Sequence, residues 1–399
     1  MAIANILVVD DETDLEILIL QKFRKKIRDG EYSFLFARNG VEALNILKNN
    51  ANIDLIVSDI NMPQMDGLTL LQHVKELDNP ILKTLIVSAY GDMANIRAAM
   101  NRGAFDFVTK PVDFRDLETT IEKTLDSIKM IKEAINLKQQ VSEYKTELEA
   151  AREIQLSILP KNNSLSCEKN KANAPQKFEI YANMIAAEQV GGDFFDYFLI
   201  DDNLLGFVIG DVSGKGVPSA IFMAVARTLI RAYGIAGYTP AECLALTNSI
   251  LCDENTNSMF VTVFYGILDP STGRVSFTNA GHLYPYVIRR KSNSTNNLLE
   301  SIDYDSSMLL GAFEDAKFTT SSFKLEQGDM LVLYTDGVTE AMNPDKKMLG
   351  EEKLENLLSN IDKSSGTETI VHEIFKLVDD FSNGASRSDD TTVLAVKYI

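Results

Sequence analysis

The stretch "GFVIGDVSGKGVPSA", Gly206 to Ala220, decides how the C-terminal part of the chain is read. Alternating glycines and a lysine behind an apolar run look like a phosphate-cradling loop. A loop of the G-x-x-x-x-G-K-[ST] kind, however, ends on a hydroxyl that reaches the metal. Gly210 stands one residue too close to Gly214 for that spacing, and Gly216 takes the place of the hydroxyl residue. What remains is an apolar strand ending in Asp211, a glycine turn and a helix. An aspartate at a strand end suits a metal ligand, provided that partners exist elsewhere.

The whole chain sets limits on what those partners serve. Its 399 residues allow two or three domains. Lysine plus arginine number 39 against 57 aspartates and glutamates, a formal charge of −18. Such a surface repels phosphate backbones, and there is no basic run or helix-turn-helix signature, so nucleic-acid binding is not expected. The three cysteines, Cys167, Cys243 and Cys252, have no C-x-x-C spacing, and none is followed six residues on by arginine. Free thiols in a reducing cytosol fit that pattern. "MAIANILVVDDE" reads as a strand with acidic residues rather than a signal peptide. No apolar run approaches the ~18–20 residues that span a bilayer. The expectation is a cytoplasmic protein with no membrane partner.

From residue 5 to about 122 the strands "NILVVD", "YSFLFA", "IDLIVSD", "KTLIVSA" and "FDFVTKP" alternate with amphipathic segments at 13–28, 40–48, 66–77, 93–101 and from 113. Five apolar strands in this pattern predict a doubly wound parallel α/β sheet, whose ligands sit at the strands' carboxyl ends. Asp10, Asp11, Asp59, Ser88 and Lys110 occupy those ends. Three neighbouring carboxylates repel one another unless a hard cation lies among them, and an all-oxygen set suits Mg²⁺. Ser88 can bond a phosphoryl oxygen and Lys110 can neutralise another, with Pro111 turning the loop inward through a cis bond. A carboxylate nucleophile beside Mg²⁺ and lysine is the chemistry of an aspartyl-phosphate.

Residues 3–125 resemble the receiver domain of two-component response regulators, on "VVDDE", "SDINMPQMDG", "SAY" and "TKP". The resemblance implies that Asp59 is the phosphoacceptor and that Asp10 and Asp11 hold the Mg²⁺, with the Asn61 carbonyl as a further ligand. It makes Ser88 and Phe107 the switch pair and Lys110 the phosphoryl-contacting lysine. It also implies an upstream histidine kinase.

The receiver is assigned to 1–122, a helical coiled-coil linker to 123–160, a polar loop to 161–177 and the second domain to 178–399. From 113 to 159 the chain is charged and nearly free of glycine. Leu117, Ile121, Ile128, Ile131 and Ile135 mark one apolar register; Leu137, Val141, Tyr144, Leu148, Ala151, Gln155 and Ile158 mark another. Their phases disagree near 135–137, and such seams predict a homodimer through the helix. The region beyond 178 alternates many strands with helices at 218–234, 239–253, 350–360 and 367–382, an α+β sandwich of sheets flanked by helices.

Asp211 has its partners there. "VGGDFFDY" carries Asp193, "LYTDGVTEA" carries Asp336, and "SDDTTVLAV" carries Asp389 and Asp390, each at or beside a strand end. Aspartates without histidine or cysteine favour Mg²⁺ or Mn²⁺ over zinc. Four are enough for two ions that activate water and hold a phosphoester. Residues 150–399 resemble the metal-dependent PPM-type serine/threonine protein phosphatases of the SpoIIE-like branch, from "AREIQLSILP" through "GDVSGKGVPSA", "NAGH" and "YTDGVTEA" to "SDDTTV". The resemblance implies that Asp211 bridges both ions and that the Val212 carbonyl completes one. Asp336 and Asp389 would hold the other, and Asp193 would ligate directly or through water. Ser213 and Gly214 replace the aspartate–glycine–histidine turn of eukaryotic members, so no general acid is assigned.

His282 reads as a structural hydrogen-bonder, Asp390 as support for its neighbour, and Lys215 as facing either substrate or solvent. His73 and His372 read as surface residues. The function expected is a phosphorylation-regulated, metal-dependent phosphatase acting, by resemblance, on a STAS-type anti-sigma-factor antagonist. The alternative is a receiver-controlled adaptor whose phosphatase-like domain sequesters a signalling protein. A degenerate fold of that kind should have lost metal carboxylates, and none of the motif aspartates is missing.

Overall fold

The computed structural model describes residues 4–50, 52–89, 92–161, 177–201, 203–253, 255, 258–290, 298–303, 306–362 and 364–399. The polar stretch 161–177 falls, apart from its two ends, outside the described residues, as does Cys167. The chain divides into two compact units, Met1–Tyr144 and Lys145–Ile399.

In the first unit β1 (Ala4–Val9), β2 (Tyr32–Ala37), β3 (Leu55–Asp59), β4 (Lys83–Ala89) and β5 (Asp106–Lys110) form one parallel sheet in the order β2-β1-β3-β4-β5. Ile6, Leu7, Val8 and Val9 are all buried, as expected of a strand covered on both faces. The helices are α1 (Thr13–Lys22), α2 (Arg24–Arg28), α3 (Gly40–Asn49), α4 (Gly67–Glu76), α5 (Met93–Arg102) and α6 (Phe114–Ile158). The single helix expected over 13–28 is two, joined at Phe23, whose ring is buried in the core. Three helix starts are capped by side chains that meet otherwise unpaired N–H groups. Asn39 accepts from Val41 and Glu42, Asp66 from Thr69, and Asp92 from Asn95. The Lys110–Pro111 bond is cis.

Helix α6 is uninterrupted from Phe114 to Ile158. Its first apolar register turns inward: Leu117 and Ile121 belong to the core beneath the sheet, and Ile128 is buried as well. Those positions are packing rather than a free seam. Ile135, Leu137, Val141 and Tyr144 lie exposed further along, and Gln155 is buried again.

The second unit stacks two five-stranded antiparallel sheets. The first, in the order β13-β10-β9-β8-β7, contains β7 (Phe194–Leu199), β8 (Leu205–Val212), β9 (Val261–Asp269), β10 (Arg274–Ala280) and β13 (Ser321–Lys324). The second, β12-β11-β14-β15-β6, contains β6 (Phe178–Ile185), β11 (Tyr286–Arg289), β12 (Leu298–Ser301), β14 (Met330–Tyr334) and β15 (Thr391–Tyr398). Strand periodicity divides β14 and β15 between two cores. Leu331, Leu333, Leu394 and Val396 join the cluster that includes the first sheet, while Met330, Val332, Val393 and Ala395 face the other way. Helices α7 (Val217–Ile235) and α8 (Pro240–Asp253) pack on the first sheet; α9 (Asp336–Thr339), α10 (Glu351–Asn360) and α11 (Thr367–Ser382) lie with the second. In α11 the buried Ile370, Val371, Ile374, Phe375 and Val378 follow helical spacing. Among the described residues, no helix is long and apolar enough to cross a membrane.

Candidate functional sites

In the first unit, β1, β3 and β5 end at one edge of the sheet and bring the acidic group together. Asp10, Asp11 and Asp59 each offer an oxygen within 4.8 Å of the others. The Lys110 ammonium donates to Asp59 Oδ2 at 2.7 Å and to Asp10 Oδ2 at 3.0 Å. Burial alone would lower the Lys110 pKa; the hydrogen bonds to Asp59 and Asp10 outweigh it and hold the group above its ordinary value. Asp59 Oδ1 accepts from the Ile60 N–H at 2.7 Å, which orients the carboxylate. Ser88 is fully buried, and its Oγ has no hydrogen-bond partner among the described residues. An orphaned hydroxyl in the strand between those that end in Asp59 and Lys110 fits an oxygen-rich ligand such as a phosphoryl group. Asn61 is exposed in the loop after β3. Phe107 is half-buried against the cluster of Ile60, Leu71 and Ile86.

In the second unit, the register of β7 with β8 pairs Phe194 with Gly210, which sets Asp193 opposite Asp211. Gly214 and Gly216, at φ 88° and 77°, turn the chain from β8 into α7, so the glycines of the opening stretch serve a turn. Asp336 starts α9 directly after β14, and Asp389 and Asp390 precede β15, the neighbouring strand. Gly337 is indispensable to this approach: a Cβ there would stand 1.9 Å from the Asp390 carbonyl oxygen.

The carboxylates act on one another. Burial, then the charges of Asp336 and Asp389, push Asp211 up to about 7, although a hydrogen bond with Asp193 works the other way. Asp193 is raised by burial and by Asp211, against hydrogen bonds donated by Thr392 at 2.6 Å and Thr335 at 2.7 Å. Asp336 is raised by burial and by Asp389. Among the described residues, no three of these groups bring oxygens within 4.8 Å of one another, unlike the trio in the first unit. Oxygens on opposite sides of one Mg²⁺ stand about 4.2 Å apart, so no three of these carboxylates are set to share a single ion in this arrangement. Oxygen donors and mutual repulsion together fit hard divalent cations.

The neighbours fall into place around this group. Asp390 Oδ2 accepts from the Gly192 N–H at 2.7 Å, and Oδ1 from the Ala187 N–H at 2.8 Å. Lys215 pairs with Asp389 Oδ2 at 3.3 Å and donates to the Ser388 carbonyl, so it faces an aspartate rather than solvent alone. His282 is buried, bonded through Nδ1 to Thr262 at 3.0 Å and through its backbone to Asn279; burial pushes it down to about 4, which keeps the imidazole neutral. His372 is exposed and His73 half-exposed. Sequence reasoning missed Thr335 and Thr392, whose hydroxyls hold Asp193. It also missed the role of Gln155, although a polar side chain inside an apolar helical register was a visible signal.

Residues 6–122 match the response regulator receiver domain, and residues 201–399 match the Stage II sporulation protein E (SpoIIE) family. The chain is a response regulator that joins a receiver domain to a PPM-type phosphatase domain of the SpoIIE family. It is 32% identical over 281 residues to protein IcfG of Synechocystis, covering 63% of this chain and 41% of IcfG. It is 26% identical over 276 residues to the phosphoserine phosphatase RsbU of Bacillus subtilis, covering 67% of this chain and 78% of RsbU. The chain thus spans less than half of IcfG but most of RsbU. The solved SiaA-PP2C domain of Pseudomonas aeruginosa shares the fold, with a TM-score of 0.54 at 17% identity over 65% of this chain and 99% of that one.

Proposed function

We propose that this protein is a metal-dependent phosphoserine/phosphothreonine protein phosphatase controlled by phosphorylation of Asp59. The observation that carries the reading is the gathering of Asp193, Asp211, Asp336 and Asp389 at adjoining strand ends, with the first three raised in pKa by burial and mutual charge. Such a group is under strain without cations and is relieved by them. Two Mg²⁺ or Mn²⁺ ions, held by Asp193, Asp211, the Val212 carbonyl, Asp336 and Asp389, would supply an acidified water and a clamp on the phosphoester. The chain's own part is to exclude protons from the ligand set. Thr335 and Thr392 donate to Asp193 and favour its charged form. Lys215, next to Asp389, is placed to meet an incoming phosphate.

In the receiver, Asp10, Asp11, Asp59 and the Asn61 carbonyl would hold one Mg²⁺. Asp59 takes a phosphoryl group from a histidine kinase, Lys110 and Ser88 receive its oxygens, and Phe107 responds with Ser88. The substrate is read as a phosphoserine protein of the STAS anti-sigma-antagonist class, a reading that rests on family resemblance and on the likeness to RsbU, a phosphoserine phosphatase. Homodimerisation through α6 draws support from the exposed Ile135, Leu137, Val141 and Tyr144. Hydrolysis of a phosphoserine peptide with Mn²⁺, then with chelator, tests the activity, with Asp211→Ala alongside. Metal-dependent turnover absent from the variant is expected; equal turnover in both proteins overturns the assignment.

A further inference from the structure

The loop that carries Asp193 is held from outside the sandwich by a side chain of helix α6. Gln155 is 6% exposed and three residues from the end of that helix. Its Nε2 donates to the Gly191 carbonyl at 2.6 Å, and its Oε1 accepts from the Gly191 N–H at 3.1 Å. One amide therefore satisfies both polar groups of one residue, which among side chains of this length only glutamine can do. The next residue, Gly192, donates to Asp390 Oδ2 at 2.7 Å, and the one after it is Asp193. Leu159, just beyond the helix, is buried in the sandwich core, so the helix end is itself anchored.

We propose that Gln155 is a positioning residue: it fixes the Gly191–Asp193 backbone to the end of α6, so that cation affinity at the C-terminal site depends on where that helix end sits. The inference rests on the reading of Asp193, Asp211, Asp336 and Asp389 as a metal centre. A helix advances about 100° per residue, so a small rotation of α6 about its axis carries the amide away from Gly191. Gly191 is then released, and the Asp193 backbone is left with the Asp390 carboxylate alone, which accepts from the Gly192 and Asp193 N–H groups at 2.7 Å and 3.4 Å. Regulation delivered along the helix would reach the ligand set by this route, without any group in the site changing its chemistry.

The test is a Mn²⁺ titration of the full chain carrying Asp10→Asn and Asp11→Asn, which leaves the C-terminal site as the one measured. Gln155→Leu removes both hydrogen bonds. Gln155→Glu keeps the shape but sets a carboxylate against the Gly191 carbonyl. Both variants are expected to raise the Mn²⁺ Kd roughly 10-fold, in line with the loss of an outer-shell support. Ile374→Ala, in the core of α11, should lower the melting temperature in chelator and leave the Kd alone. A Kd within about twofold of the parent for both Gln155 variants, in protein that remains folded by circular dichroism, overturns the proposal, as does an equal Kd change in Ile374→Ala. A parent chain that binds Mn²⁺ but hydrolyses no phosphoester removes the phosphatase reading and leaves the Gln155 result standing. A parent that binds no Mn²⁺ overturns both.

Discussion

Replacing Asp211 by asparagine should stabilise the metal-free C-terminal unit at alkaline pH, although it removes a residue central to the site. In the metal-free protein burial and the charges of Asp336 and Asp389 raise Asp211 to about 7. A carboxyl whose folded pKa lies above its unfolded value contributes stability that is complete below the unfolded pKa and lost as pH rises through the folded one. From about 4 to about 7 the loss is on the order of 4 kcal/mol, of which roughly 3 kcal/mol falls between pH 5 and pH 8. For a unit of this size about 1 kcal/mol moves the melting temperature by roughly 2–4 °C. In chelator, the wild-type C-terminal transition should fall by roughly 6–12 °C between pH 5 and pH 8. Asp193 and Asp336, also raised, act in the same direction. Asp211→Asn should flatten the dependence and melt higher than wild type at pH 8. Saturating Mn²⁺ should reverse the order, because an ion that binds only the folded state stabilises it by mass action. The assay is differential scanning calorimetry of the full chain at both pH values, with and without the ion. A wild-type transition in chelator that is independent of pH from 5 to 8, or a variant that melts lower at pH 8, would refute the reasoning.

Two further outcomes follow from the geometry. Gly337→Ala places a methyl 1.9 Å from the Asp390 carbonyl oxygen; the adjoining Asp336 must shift, with a loss of about 1–3 kcal/mol in urea unfolding and weaker Mn²⁺ binding by calorimetry. Asp59→Asn should abolish alkali- and hydroxylamine-labile phosphate uptake from acetyl phosphate, read by intact mass, and leave Mn²⁺-dependent hydrolysis by the C-terminal unit in place; phosphate retained in the variant would move the acceptor elsewhere.

Much of the fold was legible because it is local. Runs such as "LIVSD" and "LIVSA" are short, apolar and rich in branched residues, as strands covered on both faces are, and their alternation with amphipathic segments points to a parallel, doubly wound arrangement. The alternation in "MLVLY" and "TTVLAV" likewise announces strands with two different faces, and the aspartates beside those runs stand at strand ends in the fold. Helix α6 shows where local pattern falls short. Its two apolar registers have the same kind of spacing, yet Leu117 and Ile121 are receiver core while Leu137 and Val141 are exposed. Spacing specifies a stripe, and what covers the stripe is decided by residues far away in sequence.

The same limit governs the sites. Sequence determined which residue types were available at strand ends, and hence the chemistry on offer: carboxylates, a lysine, a buried serine. Only tertiary structure decided which of them meet. The β7–β8 register sets Asp193 against Asp211, and the β14–β15 pair brings Asp336 beside Asp390. Thr335, Thr392 and Gln155 acquire their roles through hydrogen bonds across 142, 199 and 36 residues. Periodicity is a property of neighbours along the chain, whereas a hydrogen bond between buried groups depends on two distant backbones arriving within about 3 Å of each other, which only the packed sheets and helices impose.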